Sequence, residues 1–236
     1  GFSKTGLGDA VAQANTPVLD KLLSICPNVR LKAHGSAVGL PSDDDMGNSE
    51  VGHNALGCGQ IYAQGAKLVN ESIESGKIYT SEAWDKILQN CKANNSTLHF
   101  IGLLSDGNVH SNIAHLEAMV NNAKESGIKK VRIHALLDGR DVPATSALTY
   151  IDRIEALLKD ISDDGFDARI ASGGGRMKIT MDRYQADWGM VKLGWETHVL
   201  GRGRQFESAA DAVNAYRTEY NVIDQDLPPF VIADKG

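Results

Sequence analysis

Apolar residues along most of this chain alternate between short continuous runs and stripes at helical spacing. The continuous runs predict four strands, at Val29–Ala33, Leu98–Leu104, Val131–Leu137 and Ala168–Ala171. Two stripes between the last three runs predict helices, formed by Ile113, Leu116, Met119 and Val120 and by Tyr150, Ile154, Leu157 and Leu158. Because a parallel strand needs a crossover of about a dozen residues, this order predicts an α/β fold with a mostly parallel sheet flanked by helices.

The density of these signals divides the chain into two parts. Residues 1–64 are loop-rich, with one strand and one helix that begins at Thr16-Pro17, which is too little to bury a core. We expect this part to belong to a domain whose remainder lies outside the chain. Residues 65–236 are expected to form most of a second domain that lacks its C-terminal end, and Phe230–Ile232 is read as an unfinished strand.

Composition and charge exclude several classes of protein. Of the 236 residues, 42% are hydrophobic and 23% are charged, which excludes collagen-like, coiled-coil and disordered chains. The chain has no apolar stretch of roughly 18 residues and no secretory signal at its first residues, so we expect a soluble cytoplasmic protein. Three cysteines with no disulfide or metal spacing are expected to be reduced. A net charge of −6 would repel nucleic acid and anionic lipid, so neither is an expected partner.

Polar and glycine-rich loops are predicted to follow directly after three successive strands. They are residues 105–110, residues 138–141 and Gly173-Gly174-Gly175-Arg176. Ligands of open parallel sheets bind outside the carboxyl ends of the strands, so these segments are expected to meet around one crevice. Each segment alone has an ordinary explanation as a turn, a flexible connection or a solvated charge.

Arg176 and Arg183 are seven residues apart, and two guanidinium groups could face one anion. The alternative is a surface ion pair between Asp182 and an arginine, which would contribute little to stability.

A second candidate site is the stretch Met46–His53. Asn48 is a good helix cap, which would place Ser49 in the first turn near free backbone N–H groups, where a phosphoryl group is stabilised. The alternative is that Asn48 and Ser49 only cap a short helix. A serine hydroxyl needs a base or a metal to become a nucleophile, the chain has no Gly-x-Ser-x-Gly elbow, and His53 alone does not hold a metal.

Other polar residues are predicted to be structural. The acidic run Asp43–Asp45 is interpreted as a solvated loop because it lacks the spaced ligands of a calcium site. Four histidines outside the candidate segments are interpreted as ordinary strand or surface residues; these are His34, His99, His134 and His198.

In these stretches the chain resembles the cofactor-independent (2,3-bisphosphoglycerate-independent) phosphoglycerate mutases of the alkaline phosphatase superfamily. The matching stretches, in order, are 33–41, Met46–His53, 98–110, 134–141 and 175–183. Met-Gly-Asn-Ser-Glu-Val-Gly-His is the most specific of them.

The resemblance implies interconversion of 3-phosphoglycerate and 2-phosphoglycerate by a monomer. Ser49 would carry the phosphoryl group and would ligate one of two divalent ions, Mn²⁺ or Mg²⁺, without 2,3-bisphosphoglycerate. Asp141 would handle a hydroxyl proton of the glycerate. The substrate would be bound by His110, Arg140, Asp141, Arg176 and Arg183.

Some features depart from the family pattern. Residues 1–64 would be an incomplete part of the metal-binding, phosphatase-like domain, because the first family metal ligand is missing or would precede Gly1, and other ligands would follow Gly236. Residues 65–236 would be the phosphotransferase domain, and the fragment alone is expected to be inactive. Asn108 stands where the family has glycine. Two alternatives stay open: a metal-dependent phosphohydrolase or another phosphomutase of the superfamily, and a non-catalytic anion-binding module.

Overall fold

The computed structural model describes residues 7–63, 65–182 and 184–233. The α-helices are α1 (Ala10–Gln13), α2 (Pro17–Ile25), α3 (Ser49–Cys58), α4 (Ala66–Glu74), α5 (Glu82–Asn94), α6 (Ile113–Glu125), α7 (Ala147–Ile161), α8 (Trp188–His198) and α9 (Ala209–Tyr220). The strands are β1 (Leu98–Leu103), β2 (Lys130–Leu137), β3 (Asp167–Gly175), β4 (Arg204–Phe206) and β5 (Phe230–Ile232), and short 3₁₀ helices cover Gly35–Val38, Lys77–Thr80 and Asp224–Asp226. The predicted α/β class is confirmed. No helix in these ranges is long and apolar enough to cross a lipid bilayer.

The five strands form one mixed sheet in the order β1-β2-β3-β5-β4. β1, β2 and β3 are parallel neighbours, and α6 and α7 connect them as the crossover helices that the apolar stripes predict. β5 is antiparallel to β3 and parallel to β4. The run Phe230–Ile232 therefore completes the sheet, whereas β4 has no clear signal in the sequence.

The main hydrophobic core lies between the sheet and α5, α6, α7 and α9. Alternate residues of the strands supply it, since successive side chains of a strand point to opposite faces. A smaller cluster on the other face contains Leu103, Leu136 and Ile179. Its last member holds the segment after β3 against the sheet.

The three consecutive glycines do not form a loop, and that prediction is wrong. Gly173–Gly175 are the last residues of β3. A Cβ atom on Gly173 would lie 2.6 Å from the carbonyl oxygen of Ala135, and one on Gly175 would lie 2.3 Å from that of Gln225. Glycine is needed here because other backbone passes too close for any side chain.

Gly1–Ala33 forms a compact unit separate from His34–Gly236. Its helix α2 begins at Pro17 as predicted, but the Thr16 hydroxyl bonds Asp20 and not the backbone. The predicted strand Val29–Ala33 is wrong, because this segment is exposed coil. An extended segment becomes a strand only beside a neighbour with which it can exchange backbone hydrogen bonds. The domain boundary after residue 64 stays a prediction.

Candidate active site

The ends of β1, β2 and β3 meet at one edge of the sheet, as the parallel order predicts. The hydroxyl group of Ser105, after β1, donates to Oδ2 of Asp138, after β2, at 2.6 Å. Nη1 of Arg176, after β3, donates to Oδ1 of Asp138 at 2.8 Å. Asp138 is thus the residue through which the three segments are joined.

Asp138 is held as a carboxylate although it is only 3% exposed. Burial alone would raise its pKa, but hydrogen bonds from Ser105, from the backbone N–H of Asp141, from Arg176 and from the backbone N–H of Arg140 lower it below the ordinary value. The two backbone bonds fold residues 138–141 into a tight turn. The charge of Asp138 therefore organises the turn that carries Arg140 and Asp141.

Arg176 bridges the two aspartates of this turn. Its Nη1 atom also donates to Oδ2 of Asp141 at 2.6 Å. Burial lowers the pKa of the guanidinium, but the bonds to Asp141 and Asp138 outweigh it and raise the pKa. An anionic ligand would meet Arg176 through its other nitrogen atoms, or by replacing Asp141 at Nη1.

Gly107 allows the first and second segments to approach each other. A Cβ atom at this position would lie 2.9 Å from Cβ of Asp141. Beside it, Asp106 accepts a hydrogen bond of 2.5 Å from the hydroxyl of Tyr150 on α7. Burial and the nearby Asp106 carboxylate raise the pKa of Tyr150 to about 12, so this hydroxyl stays a donor. Sequence reasoning missed Tyr150, whose spacing marks it only as part of an apolar stripe.

The other predicted substrate residues are less tightly placed. The side chains of Arg140 and His110 are exposed, and His110 borders a cavity of about 220 Å³ between β1, α4 and α6. Arg183 lies outside the described residues. Asp182 does not pair with an arginine in any described contact; its Oδ1 accepts from the backbone N–H of Asp187 at 2.8 Å.

Ser49 is the first residue of α3, and the prediction of its cap is confirmed. The side chain of Asn48 accepts from the backbone N–H of Val51 at 3.1 Å, which leaves the exposed Ser49 in the first turn. Nδ1 of His53 lies 2.6 Å from the Ser49 carbonyl oxygen and 3.1 Å from Oγ. Because a carbonyl oxygen only accepts, Nδ1 carries the proton and cannot take one from the Ser49 hydroxyl.

A divalent ion would require more ligands than the described residues offer. Among them, no three histidine, cysteine, aspartate or glutamate side chains are placed to hold a metal. Hard cations take six or more oxygen ligands, and Ser49 Oγ is one oxygen. No described hydrogen bond or ion pair joins Ser49 to the cluster around Asp138. The described residues therefore do not make up a metal site.

Three of the histidines interpreted as strand or surface residues are connected by hydrogen bonds. His99 and His134 lie on strands β1 and β2 as predicted, whereas His198 is the last residue of α8. His99 Nδ1 lies 2.9 Å from His134 Nε2, and His134 Nδ1 lies 2.6 Å from the hydroxyl of Ser172. This hydroxyl is 2.8 Å from His198 Nδ1, and His198 Nε2 is 3.1 Å from the hydroxyl of Thr180. These residues are far apart in sequence, and no spacing motif could have found them.

Residues 69–236 match the family model described as the BPG-independent PGAM N-terminus. The chain belongs to the 2,3-bisphosphoglycerate-independent phosphoglycerate mutase family. The predicted resemblance is thereby confirmed.

Several named members of the family are close relatives. A Leptospira interrogans protein named "Probable 2,3-bisphosphoglycerate-independent phosphoglycerate mutase" is 54% identical over 100% of this chain and 44% of its own length. The Trypanosoma brucei mutase is 51% identical over 95% of this chain and 41% of its own length. A crystal structure of Leishmania mexicana phosphoglycerate mutase at low cobalt concentration matches 96% of this chain and 42% of its own, with a TM-score of 0.88 and 50% identity. The chain thus spans less than half the length of these relatives.

Proposed function

We propose that the protein interconverts 3-phosphoglycerate and 2-phosphoglycerate through a phosphoserine at Ser49, without 2,3-bisphosphoglycerate. The observation that carries this proposal is an exposed, capped helix-start serine in the same chain as the Asp138–Asp141–Arg176 cluster. Family membership supports the reaction class. The fragment by itself is proposed to be inactive.

The cluster suggests how a small phosphorylated acid would be held. Arg140 is exposed beside a buried, fully bonded Asp138, so its guanidinium is available to a carboxylate or phosphate. Arg176, His110 and Arg183 would complete the contacts to substrate. Asp141, whose carboxylate is oriented by Arg176, would accept the proton of the glycerate hydroxyl that receives the phosphoryl group.

Transfer in this proposal needs two balanced steps. In the first, Ser49 Oγ takes the phosphoryl group from one glycerate oxygen, and the proton lost by Ser49 goes to that oxygen as its bond to phosphorus breaks. In the second, the other glycerate hydroxyl loses its proton to Asp141 and takes the phosphoryl group back, and this proton passes on to Ser49 Oγ as the phosphoserine bond breaks, which regenerates Ser49 and the Asp141 carboxylate. Because His53 Nδ1 already carries a proton, Ser49 must be activated by another group.

We propose that Mn²⁺ or Mg²⁺ supplies that activation, with two ions in the full protein and Ser49 as one ligand. A bound cation lowers the pKa of an attached hydroxyl. The other ligands would come from outside the described residues. We further propose a monomer that acts in the cytoplasm, in glycolysis and gluconeogenesis.

The deciding experiment supplies the full-length protein with 3-phosphoglycerate and Mn²⁺, without 2,3-bisphosphoglycerate. We expect 2-phosphoglycerate as product, one phosphate mass on Ser49, and loss of both in Ser49→Ala and after chelation. Ser208→Ala, which removes another helix-capping serine, is the matched control and should keep activity. Release of free phosphate alone would favour the phosphohydrolase, and binding without turnover would favour the anion-binding module.

A further inference from the structure

The chain of hydrogen bonds from His99 to Thr180 exists because of an irregularity in β3. Ile133 of β2 pairs with Ile170, whereas the next residue, His134, pairs with Ser172. Ala171 is therefore an extra residue, a β-bulge, and a one-residue shift exchanges the faces of the sheet. Without the bulge, Ser172 would point into the main core with Ile170. With it, Ser172 lies on the same face as His134.

Each side chain in the middle of this series of hydrogen bonds can donate to one neighbour and accept from the other. His134 and Ser172 are buried, and burial lowers the pKa values of His134 and His198 to about 4. A neutral imidazole has one donor and one acceptor, and a hydroxyl can do both. All the hydrogen bonds can therefore be donated in the same direction, either from His99 toward Thr180 or from Thr180 toward His99. In both cases the Thr180 hydroxyl has a hydrogen-bond partner.

The backbone of Thr180 has an unfavourable conformation that surrounding contacts must stabilise. Its φ is +69°, in the left-handed region that a β-branched residue rarely occupies. Its backbone N–H donates to the carbonyl of Met190 at 3.2 Å. Gly194 of α8 packs so closely that a Cβ atom there would lie 2.3 Å from the Thr180 hydroxyl oxygen. Helix α8 and His198 at its last turn thus hold Thr180 from one side.

The position of Thr180 matters because two of the proposed substrate-binding arginines flank it in the sequence. It follows Arg176 by four residues and precedes Arg183 by three. Its carbonyl oxygen accepts from the backbone N–H of Asp182 at 3.0 Å, so residues 180–182 form a tight turn. Residues 177–179 are held separately, by backbone hydrogen bonds to Gly175 and Gln225, so Thr180 sets the path of residues 180–182.

We propose that His99, His134, Ser172 and His198 position Thr180, and that Thr180 sets the path of residues 180–182, which lie between Arg176 and Arg183 in the sequence. These are positioning residues and not catalytic ones, because none of them is in the cluster around Asp138. The link to phosphoglycerate rests on the proposed function. Loosening the segment should weaken substrate binding and leave the transfer chemistry at Ser49 largely intact.

The test compares four variants of the full-length protein. Thr180→Val removes the hydroxyl at constant shape, Thr180→Ser keeps it, and Ser172→Ala cuts the chain at its buried centre. Thr218→Val is the matched control, since its exposed hydroxyl bonds only a helix carbonyl on α9. Circular dichroism and exchange of the core strands show whether each variant is folded.

The first readout, amide hydrogen exchange of residues 180–182, needs no activity. A lost hydrogen bond corresponds to about a three- to tenfold change, so we expect exchange to accelerate by that factor in Thr180→Val and Ser172→Ala. Thr180→Ser and Thr218→Val should match wild type. Unchanged exchange in both Thr180→Val and Ser172→Ala would overturn the proposal.

The second readout separates substrate binding from chemistry. We expect KM for 3-phosphoglycerate to rise about three- to tenfold in Thr180→Val, with kcat within about twofold of wild type, and Thr180→Ser to restore KM. Faster exchange with an unchanged KM would overturn the role in substrate binding. If the wild-type protein does not convert 3-phosphoglycerate, the proposed function fails, and the exchange rates alone decide whether the chain positions the segment.

Discussion

Asn108 donates a hydrogen bond of 2.6 Å from its side-chain amide to Oδ1 of Asp45, 63 residues earlier in the chain. Its own Oδ1 accepts from Asn112 at 2.7 Å, which fixes the orientation of the amide. Asp45 lies in the segment that leads to Ser49, and Asn108 lies in the turn after β1. This bond therefore connects the segment of the proposed nucleophile with the segments of the proposed substrate residues.

Two substitutions at Asn108 should separate the contribution of its hydrogen bond to stability from the cost of its backbone strain. The φ of Asn108 is +58°, which explains how it can occupy a position where the family resemblance implies glycine. Asn108→Ala loses the bond and keeps the strain, so the free energy of unfolding should fall by about 1–2 kcal/mol. Asn108→Gly loses the bond but relieves the strain, so the loss should stay below about 1 kcal/mol. Urea denaturation measures both.

Asn94→Ala is the control for this comparison. Asn94 is an exposed residue at the end of α5 that bonds only within its own helix, so its loss should be within about 0.5 kcal/mol of zero. Equal destabilisation by Asn108→Ala and Asn108→Gly would contradict the argument from strain.

Removing the guanidinium of Arg176 from the cluster around Asp138 should destabilise the fold strongly. Arg176→Met leaves Asp138 buried without its charged partner, and we expect the free energy of unfolding to fall by about 3–5 kcal/mol. Arg153→Met removes the exposed pair with Glu117 and should cost at most about 1 kcal/mol. In the double variant Asp138→Asn/Arg176→Met the loss should be smaller than the sum of the two single losses. Additive losses would mean that the two residues do not depend on each other.

The convergence of the strand-end segments could be predicted from the sequence because it depends on topology alone. Once β1, β2 and β3 are parallel, Ser105, Asp138 and Arg176 must lie at the same edge. The cap at Asn48 is equally local, since three residues contain the whole signal. Such features need no knowledge of packing.

The histidine chain could not be predicted because it depends on register. His134 and Ser172 meet only because Ala171 is unpaired, and nothing in the residues 168–175 marks the bulge. Likewise, the sequence predicts a loop at the glycines of β3 because the segment around Gln225 that crowds them is 50 residues later. The strand predicted at Val29–Ala33 failed for the related reason that pairing is not a property of one segment.

Gly107 should be sensitive to the smallest possible side chain. A Cβ atom there would press on Asp141 from 2.9 Å, so Gly107→Ala should displace the carboxylate that Arg176 orients. On the proposed function, we expect kcat/KM of the full-length protein for 3-phosphoglycerate to fall at least about tenfold, while the free energy of unfolding changes by less than about 2 kcal/mol. Gly102→Ala, on β1 with no atom within 4 Å of its Cβ position, is the control. Similar kinetics for both variants would show that Asp141 tolerates the displacement or is not used.

The buried histidines should make the fold sensitive to mild acid. The unfolded chain protonates a histidine near pH 6.5, whereas burial lowers the pKa values of His134 and His198 to about 4 in the folded protein. Between these values the unfolded state binds more protons, so stability is present above pH 6.5 and is lost as the pH falls. At pH 5 we expect a loss of about 1–2 kcal/mol per histidine relative to pH 7, measured by urea denaturation.

Asp138 does not contribute to the loss of stability in this pH range, because the stability that comes from its lowered pKa is lost only below the ordinary aspartate value. The double variant His134→Gln/His198→Gln should be less stable at pH 7 but should show a shallower fall toward pH 5, and an unchanged slope would mean that other groups cause the acid sensitivity.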